Sequence, residues 1–236
     1  MKKHLVHCMV VVSLLLGLCQ VTEARYASRY CSEPGFTCMK VRGGDTWYSS
    51  FPDIKQRDVV MRLNRMNTRL YPGLVIAVPK NLRGTDAYAI SPFPSQMNTN
   101  GQKMVIVNQD ELAWGAYNEA GHLVWWGPIS SGEDYCPDIH RGCHSPTGNY
   151  HFFRKQGADC ISSKFPIETD GGAPMPYCMH FNGGYALHGS FEVPGYRASH
   201  GCIRLFSEDA RWLNQEFIDL PGNGRGQGTA VIIQPI

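Results

Sequence analysis

Charge is scarce in this 236-residue sequence. Lys, Arg, Asp and Glu make up 18% of it and nearly cancel, leaving a formal net charge of +2. Without a basic field to attract a phosphate backbone, nucleic-acid binding is not expected. The chain also lacks what keeps a polypeptide unfolded: with 43% hydrophobic residues and so little charge, it is too apolar to stay disordered. Beyond residue 24, no apolar run reaches membrane-spanning length. The composition does not suit a helical bundle either, because 25 glycines, 15 prolines and 11% aromatics favour strands and loops. At about 150 residues per domain, the length allows one or two domains with a sizeable core.

The first 24 residues read as an export signal. Lys2 and Lys3 give a positive start, Val10 to Leu18 is a short apolar run, and Thr22-Glu23-Ala24 places small residues around a cleavage point. The run is too short for a bilayer span, which disfavours a retained anchor. Lipidation at Cys19 is disfavoured by the bulk of Leu18 before it. Removing Lys2, Lys3 and Glu23 leaves 20 basic and 19 acidic side chains, and removing Cys8 and Cys19 leaves seven of the nine cysteines. Export places these where disulfides form. Seven is odd, so a monomer keeps at least one thiol unpaired.

After Cys31 and Cys38, a pair able to staple the entry of a small module, comes Lys40-Val-Arg-Gly-Gly-Asp-Thr-Trp47. Gly43-Gly44 marks a turn, and Asp45 or Thr46 caps a helix that begins near Trp47. Val59, Val60, Leu63 and Met66 share a face of a second helix over 57–66, with Asn64 and Asn67 near its end. Leu70-Tyr-Pro-Gly73 turns into a short strand over 74–78. Residues 83–102, rich in Ser, Pro, Asn, Gly and Thr, read as a linker or partly ordered connection.

Beyond the linker, short strands are expected over 104–107, 111–117, 122–126, 149–154, 185–188, 203–206 and 229–233. One helix opens at Ser207, its apolar face formed by Trp212, Leu213 and Phe217. This pattern suggests a mainly β sandwich or irregular barrel with one helix.

The chemistry is concentrated in His188-Gly-Ser190 and Ser199-His-Gly-Cys-Ile-Arg204. An ordinary cysteine, with a pKa near 8.5, is only roughly 3% thiolate at pH 7. An imidazole beside it can take its proton and hold the ion pair, and Gly201 lets the backbone turn so that nearby amides face an oxyanion. Taken alone, these residues are only suggestive, because a buried structural cysteine beside a surface histidine is the commoner case.

Two resemblances sharpen the reading. "VRGGDTW…VVMRLNRMN…LYPGLVIAVP", over residues 39–79, is similar to a LysM module, a small α+β domain. That family binds N-acetylglucosamine-containing glycans such as peptidoglycan. "HGS…SHGCIRL", with "MVIVN…L", "PISSGED…SPTGNYHF" and "MPYCMHFNGGYALHG" in order before it, resembles the L,D-transpeptidase catalytic domain of YkuD type over residues 103–233. The ten-residue loop from Gly189 to Ala198 is near the short end for that family. The domain division expected is 1–24 signal peptide, 25–82 LysM-like module, 83–102 linker and 103–236 catalytic domain.

The second resemblance implies roles. Cys202 matches the nucleophile, and His188 the general base oriented by the backbone carbonyl of Gly189. Ser199, His200 and Gly201 shape the nucleophile turn, with the N–H groups of Gly201 and Cys202 as oxyanion donors. Arg204 steadies the site or engages a substrate carboxylate, a structural salt bridge being the alternative. Tyr177 matches a pocket tyrosine. The implied substrates are tetrapeptide stems of peptidoglycan, cross-linked by way of a cysteine thioester intermediate with release of D-alanine. Other members attach a lipoprotein or let water act as an L,D-carboxypeptidase. No cofactor or metal is implied, and a monomer in the periplasm or cell envelope is expected.

Other readings stay open beside this one. His140, Cys143 and His144 offer metal-ligand types, but their spacing matches no familiar zinc pattern and Cys136 offers a disulfide partner. Cys136, Cys143, Cys160 and Cys178 allow three pairings. Trp125 and Trp126 suit either a sugar groove or the core. A glycan-binding or surface-interaction protein with a vestigial site is the rival from another class. A cysteine peptidase of another cell-wall family is disfavoured, because its nucleophile ordinarily precedes the histidine.

Overall fold

The structure is a computed structural model that describes residues 25–222 and 226–236. The expected signal peptide lies outside the described residues. Among those residues, no helix is long and apolar enough to cross a membrane.

The chain opens with α1 (Arg25–Cys31), β1 (Phe36–Lys40), α2 (Trp47–Ser50), α3 (Ile54–Leu63) and β2 (Val75–Pro79). β1 and β2 pair antiparallel, with α1 and α3 packed on them. Thr46 caps α2 in a reciprocal box with Ser49. The second helix starts earlier than its apolar stripe suggests, because the Asp53 side chain accepts from the Lys55 and Gln56 amides. Asn64 ends it: Nδ2 donates to Val60 O and Ala77 O, and Oδ1 accepts from Ala77 N, which ties α3 to β2.

The larger part contains β3 (Met104–Asn108), β4 (Ala113–Tyr117), β5 (Leu123–Ser130), β6 (Gly148–His151), β7 (Arg154–Lys155), β8 (Met179–Asn182), β9 (Tyr185–Gly189), β10 (Ile203–Leu205), α4 (Ser207–Trp212) and β11 (Ala230–Ile233). The strands form one nine-stranded curled sheet in the order β6-β11-β3-β4-β5-β10-β9-β8-β7. It is antiparallel except where β11 joins β3 and β10 joins β9. The mainly β architecture agrees with the sequence reading. Its core is built from alternate residues such as Val105, Val107, Trp114, Leu187, Leu205 and Val231. α4 packs on β9 and continues through Leu213–Phe217 as a wider π-type turn, with Trp212 stacked on Trp114 and Phe217. Phe206 rather than Ser207 occupies the cap position, and the buried Ser207 hydroxyl finds no partner.

Residues 83–102 form a packed strap along β4 and β5. Ala87 O accepts from Trp126 Nε1 at 2.7 Å, Pro94 O accepts from Tyr117 OH at 2.8 Å, and Met97 N donates to Gly121 O at 2.9 Å. Phe93 lies where a Cβ on Gly115 would be 3.0 Å away, so that glycine gives the strap its seat. Sequence composition suggested a linker or partly ordered connection; apolar side chains interleaved among the polar residues, such as Ile90 and Phe93, anchor it. Val59, Leu63 and Ala77 of the small module share a core cluster with Ile90, Ala113 and Trp126. Trp126 is therefore a core residue. Trp125 lies in a groove at the junction, edge-on to Tyr88 and under Arg62.

Candidate active site

The parallel pairing of β9 and β10 sets Arg204 opposite His188 and Ile203 opposite Leu187, so Cys202 enters beside the strand that carries the histidine. The turn before it is over-determined. Gly201 has φ +111°, and a Cβ there would meet the Tyr185 ring at 2.6 Å. The Ser199 hydroxyl donates to Cys202 O in a short contact and accepts from Gly201 N at 3.1 Å. Ser145 Oγ donates to Gly201 O at 2.8 Å and accepts from Gly132 N at 3.0 Å. Ser131 O accepts from the amides of both Ala198 and Ser199. Gly132 permits this approach, since a Cβ there would overlap Cys143 O. The "ISSG" and "SPTG" segments thus form the seat of the turn.

Cys202, His188, Gly189, His200 and Arg204 line one cleft of about 330 Å³. Phe165, Met175, Pro176 and Phe191 give it an apolar rim. His188 is buried, and its Nδ1 lies 2.9 Å from Gly189 O. A carbonyl only accepts, so Nδ1 carries the proton and Nε2 is the basic nitrogen. Burial pushes the His188 pKa down to about 4; the Gly189 bond opposes this, while Arg204 and His180 add to it. Burial pushes the Cys202 thiol up, against an Ala186 backbone hydrogen bond and the charge of Arg204. Both shifts favour a neutral thiol and a neutral imidazole at rest. The preformed ion pair that sequence reasoning allowed is disfavoured because both groups lose water together.

His200 Nε2 donates to Asp138 Oδ2 at 2.8 Å, and its ring packs on Phe165 with centroids 4.6 Å apart. Gly201 N–H is occupied by Ser199 Oγ, which leaves Cys202 N–H as the simpler oxyanion donor of the two suggested by the sequence. Arg204 Nη1 reaches Glu192 O at 3.3 Å and Glu192 Oε2 at 3.6 Å, and Arg204 also lines the cleft, so the salt bridge and the cleft position coexist. Tyr177 does not line the cleft. It packs against the main core with φ +58°, and the adjacent Pro176 is the cleft residue. Sequence reasoning missed Asp138, Ser145 and Phe165, whose partners lie tens of residues away and leave no local pattern.

The cysteines pair as Cys31–Cys38, Cys136–Cys143 and Cys160–Cys178. Cys202 is the free cysteine among the described residues, packed beside the Cys160–Cys178 bridge. Cys136, Asp138 and His200 bring potential ligand atoms within 4.8 Å of one another, but the sulfur of Cys136 is already bonded to Cys143 and offers no thiolate. The same bridge removes Cys143 from the set with His140 and His144.

Residues 102–233 match the family model described as YkuD, L,D-transpeptidase catalytic domain. Among solved structures, an L,D-transpeptidase from Xylanimonas cellulosilytica DSM 15894 is 25% identical, with a TM-score of 0.50 over 70% of this chain and 74% of that one. An L,D-transpeptidase from Stackebrandtia nassauensis is 21% identical, with a TM-score of 0.46 over 62% of each chain. No curated protein gives a significant match.

Proposed function

This chain belongs to the YkuD L,D-transpeptidase family, and on that premise we propose that it is an exported enzyme that cross-links peptidoglycan stem peptides through a thioester on Cys202. The observation that supports this most is the placement of Cys202 and His188 in one cleft, with His188 Nδ1–H held by Gly189 O.

In this reading, Cys202 attacks the carbonyl joining the third residue of a tetrapeptide stem to its terminal D-alanine. His188 Nε2 accepts the thiol proton as the carbon–sulfur bond forms, so no resting thiolate is required. Cys202 N–H stabilises the oxyanion. The carbon–nitrogen bond breaks, the proton passes from His188 to the amine, and D-alanine leaves. A side-chain amine of a second stem then attacks the thioester, His188 takes its proton, and the thiol is restored. Arg204 holds a substrate carboxylate at the cleft mouth, and the apolar rim excludes water that would otherwise compete as acceptor.

Residues 25–82 are proposed as a LysM-like module for glycan strands, on the βααβ order and the G-D-T turn. Three disulfides fit export to an oxidising envelope compartment. A monomer is proposed.

The test is mass spectrometry of products from purified disaccharide-tetrapeptide. Dimers lacking one D-alanine support the proposal. Tripeptides alone indicate an L,D-carboxypeptidase, and an attached lipoprotein in its presence indicates an anchoring enzyme. No change of substrate supports a vestigial site on a binding protein.

A further inference from the structure

Asn67 belongs to the small module, yet it bonds across to the catalytic cleft. Its Nδ2 donates to Ser190 O at 2.8 Å, its Oδ1 accepts from Val193 N at 2.9 Å, and its backbone N–H donates to Val193 O at 2.9 Å. Met66 bridges Pro194 beside it, and Gly195 packs so closely on Asn64 O that a Cβ would lie 3.1 Å away. The segment gripped in this way is a wall of the cleft. Ser190, Phe191 and Glu192 line it, Val193 is fully buried, and Phe191 is 81% exposed.

The grip acts one peptide away from the group that orients the histidine. Gly189 O receives His188 Nδ1–H, and Ser190 N donates to Leu205 O. Asn67 then fixes the carbonyl of that same Ser190. Farther along the wall, Glu192 O receives the Arg204 guanidinium. A side-chain amide that satisfies a donor and an acceptor three residues apart locks a loop otherwise free to open, because both its hydrogen-bonding functions are used at once. A module that served only to hold a glycan would not need this contact.

We infer that Asn67 is a positioning residue for acyl transfer, through which the N-terminal module sets the geometry of the His188 carbonyl anchor and the 190–193 wall. The inference rests on the proposed transpeptidase reading, and it gives the module a part in the chemistry beyond tethering. Misplacing a reacting group by about 1 Å costs on the order of 100-fold. The expected effect of Asn67→Ala is therefore a fall in kcat of between about 10- and 100-fold, with a smaller change in KM.

The test compares the wild-type full chain with Asn67→Ala, Asn67→Asp and Val60→Ala. Val60 is buried in the module core, in the same cluster as Met66, and its side chain has no polar group to grip the wall, so it controls for lost stability. With all variants folded at the assay temperature, Asn67→Ala should lose kcat and Asn67→Asp, which keeps only the acceptor, should fall between it and wild type. Val60→Ala should melt earlier but keep kcat near wild type. Wild-type kcat in Asn67→Ala, or an equal loss in Val60→Ala, overturns the inference. If the wild-type protein forms no product, the transpeptidase reading has failed instead. The clamp is then read by hydrogen exchange over residues 190–198 and by the rate of Cys202 alkylation with iodoacetamide. Faster exchange and an altered alkylation rate in Asn67→Ala uphold the clamp; no change in either overturns it.

Discussion

Arg62 near the end of α3 and Asp209 in α4 form a two-pronged ion pair buried between the small module and the catalytic sheet. Nη1 and Nη2 reach the two carboxylate oxygens at 2.9 and 2.8 Å, and both side chains are almost fully enclosed. Burial opposes the charge on Arg62, but Asp209 and Asp58 hold it in place and raise its pKa. Trp125 Nε1 donates to the same carboxylate, and Trp126 O takes a further bond from Arg62. The two parts of the chain are therefore locked, not tethered.

That lock gives the first prediction. Removing one partner strands a charge in a dry interface and is expected to cost about 3–5 kcal/mol. Arg62→Ala and Asp209→Ala should each lower the urea midpoint, and pairing Arg62→Met with Asp209→Leu should recover most of the loss. A single substitution costing under about 1 kcal/mol, the range of an exposed pair, would contradict the buried lock.

The second concerns the two histidines flanking the cysteine-rich loops. His188 faces the cleft, whereas His144 is exposed and lies 3.7 Å from Asp134. His188→Ala should reduce turnover by about a hundred- to ten-thousand-fold, the usual contribution of a general base. His144→Ala should have little effect. Equal losses in the two folded variants would remove His188 from the role of base.

The third is a pH dependence. The His188 pKa in the fold, about 4, lies below its ordinary value. Between the two, the unfolded chain binds a proton that the folded chain refuses, so stability rises with pH across that window. It is fully present above about pH 6.5 and is lost as pH falls through about 4, at an expected cost of about 3 kcal/mol. Burial also lowers the His180 pKa, so the His188 share is the difference between wild type and His188→Gln in urea midpoints measured against pH. The acid limb of turnover should fall near pH 4; a limb at pH 6.5 would mean that His188 is solvated in the working enzyme.

The fourth is chemical. In protein lacking residues 1–24, alkylation without reductant followed by peptide mapping should label Cys202 alone, faster as pH rises because burial holds the thiol protonated. Exposure to oxidant should inactivate the enzyme, and mild thiol should restore it. A label on any other cysteine would contradict the pairing described above.

The sequence shows some features of this molecule directly and hides others. The core strands are short apolar runs buried along most of their length, so a stretch such as Met104 to Val107 announces a strand on its own. The nucleophile turn is legible in the string from Ser199 to Arg204, whereas bringing Cys202 beside the strand of His188 takes the parallel pairing of β9 with β10. What the sequence conceals depends on contacts between distant residues. Ser145 seats the nucleophile turn from 56 positions away, Asp138 meets His200 from 62, and Asn67 reaches Ser190 from 123. The parallel joins of β3 with β11 and of β9 with β10 also leave no local mark. Tyr177 shows the reverse case: its neighbourhood fits the motif, but its side chain packs against the core.

The most direct test of the thioester mechanism is the intact mass of the protein under turnover. With a disaccharide-tetrapeptide donor and quenching in acid, a fraction of the enzyme should gain the mass of the donor less D-alanine. Peptide mapping should place that adduct on Cys202, and an acceptor amine should discharge it. Cys202→Ala should show no adduct. An adduct on another residue, or cross-linked product from Cys202→Ala above background, would contradict the account.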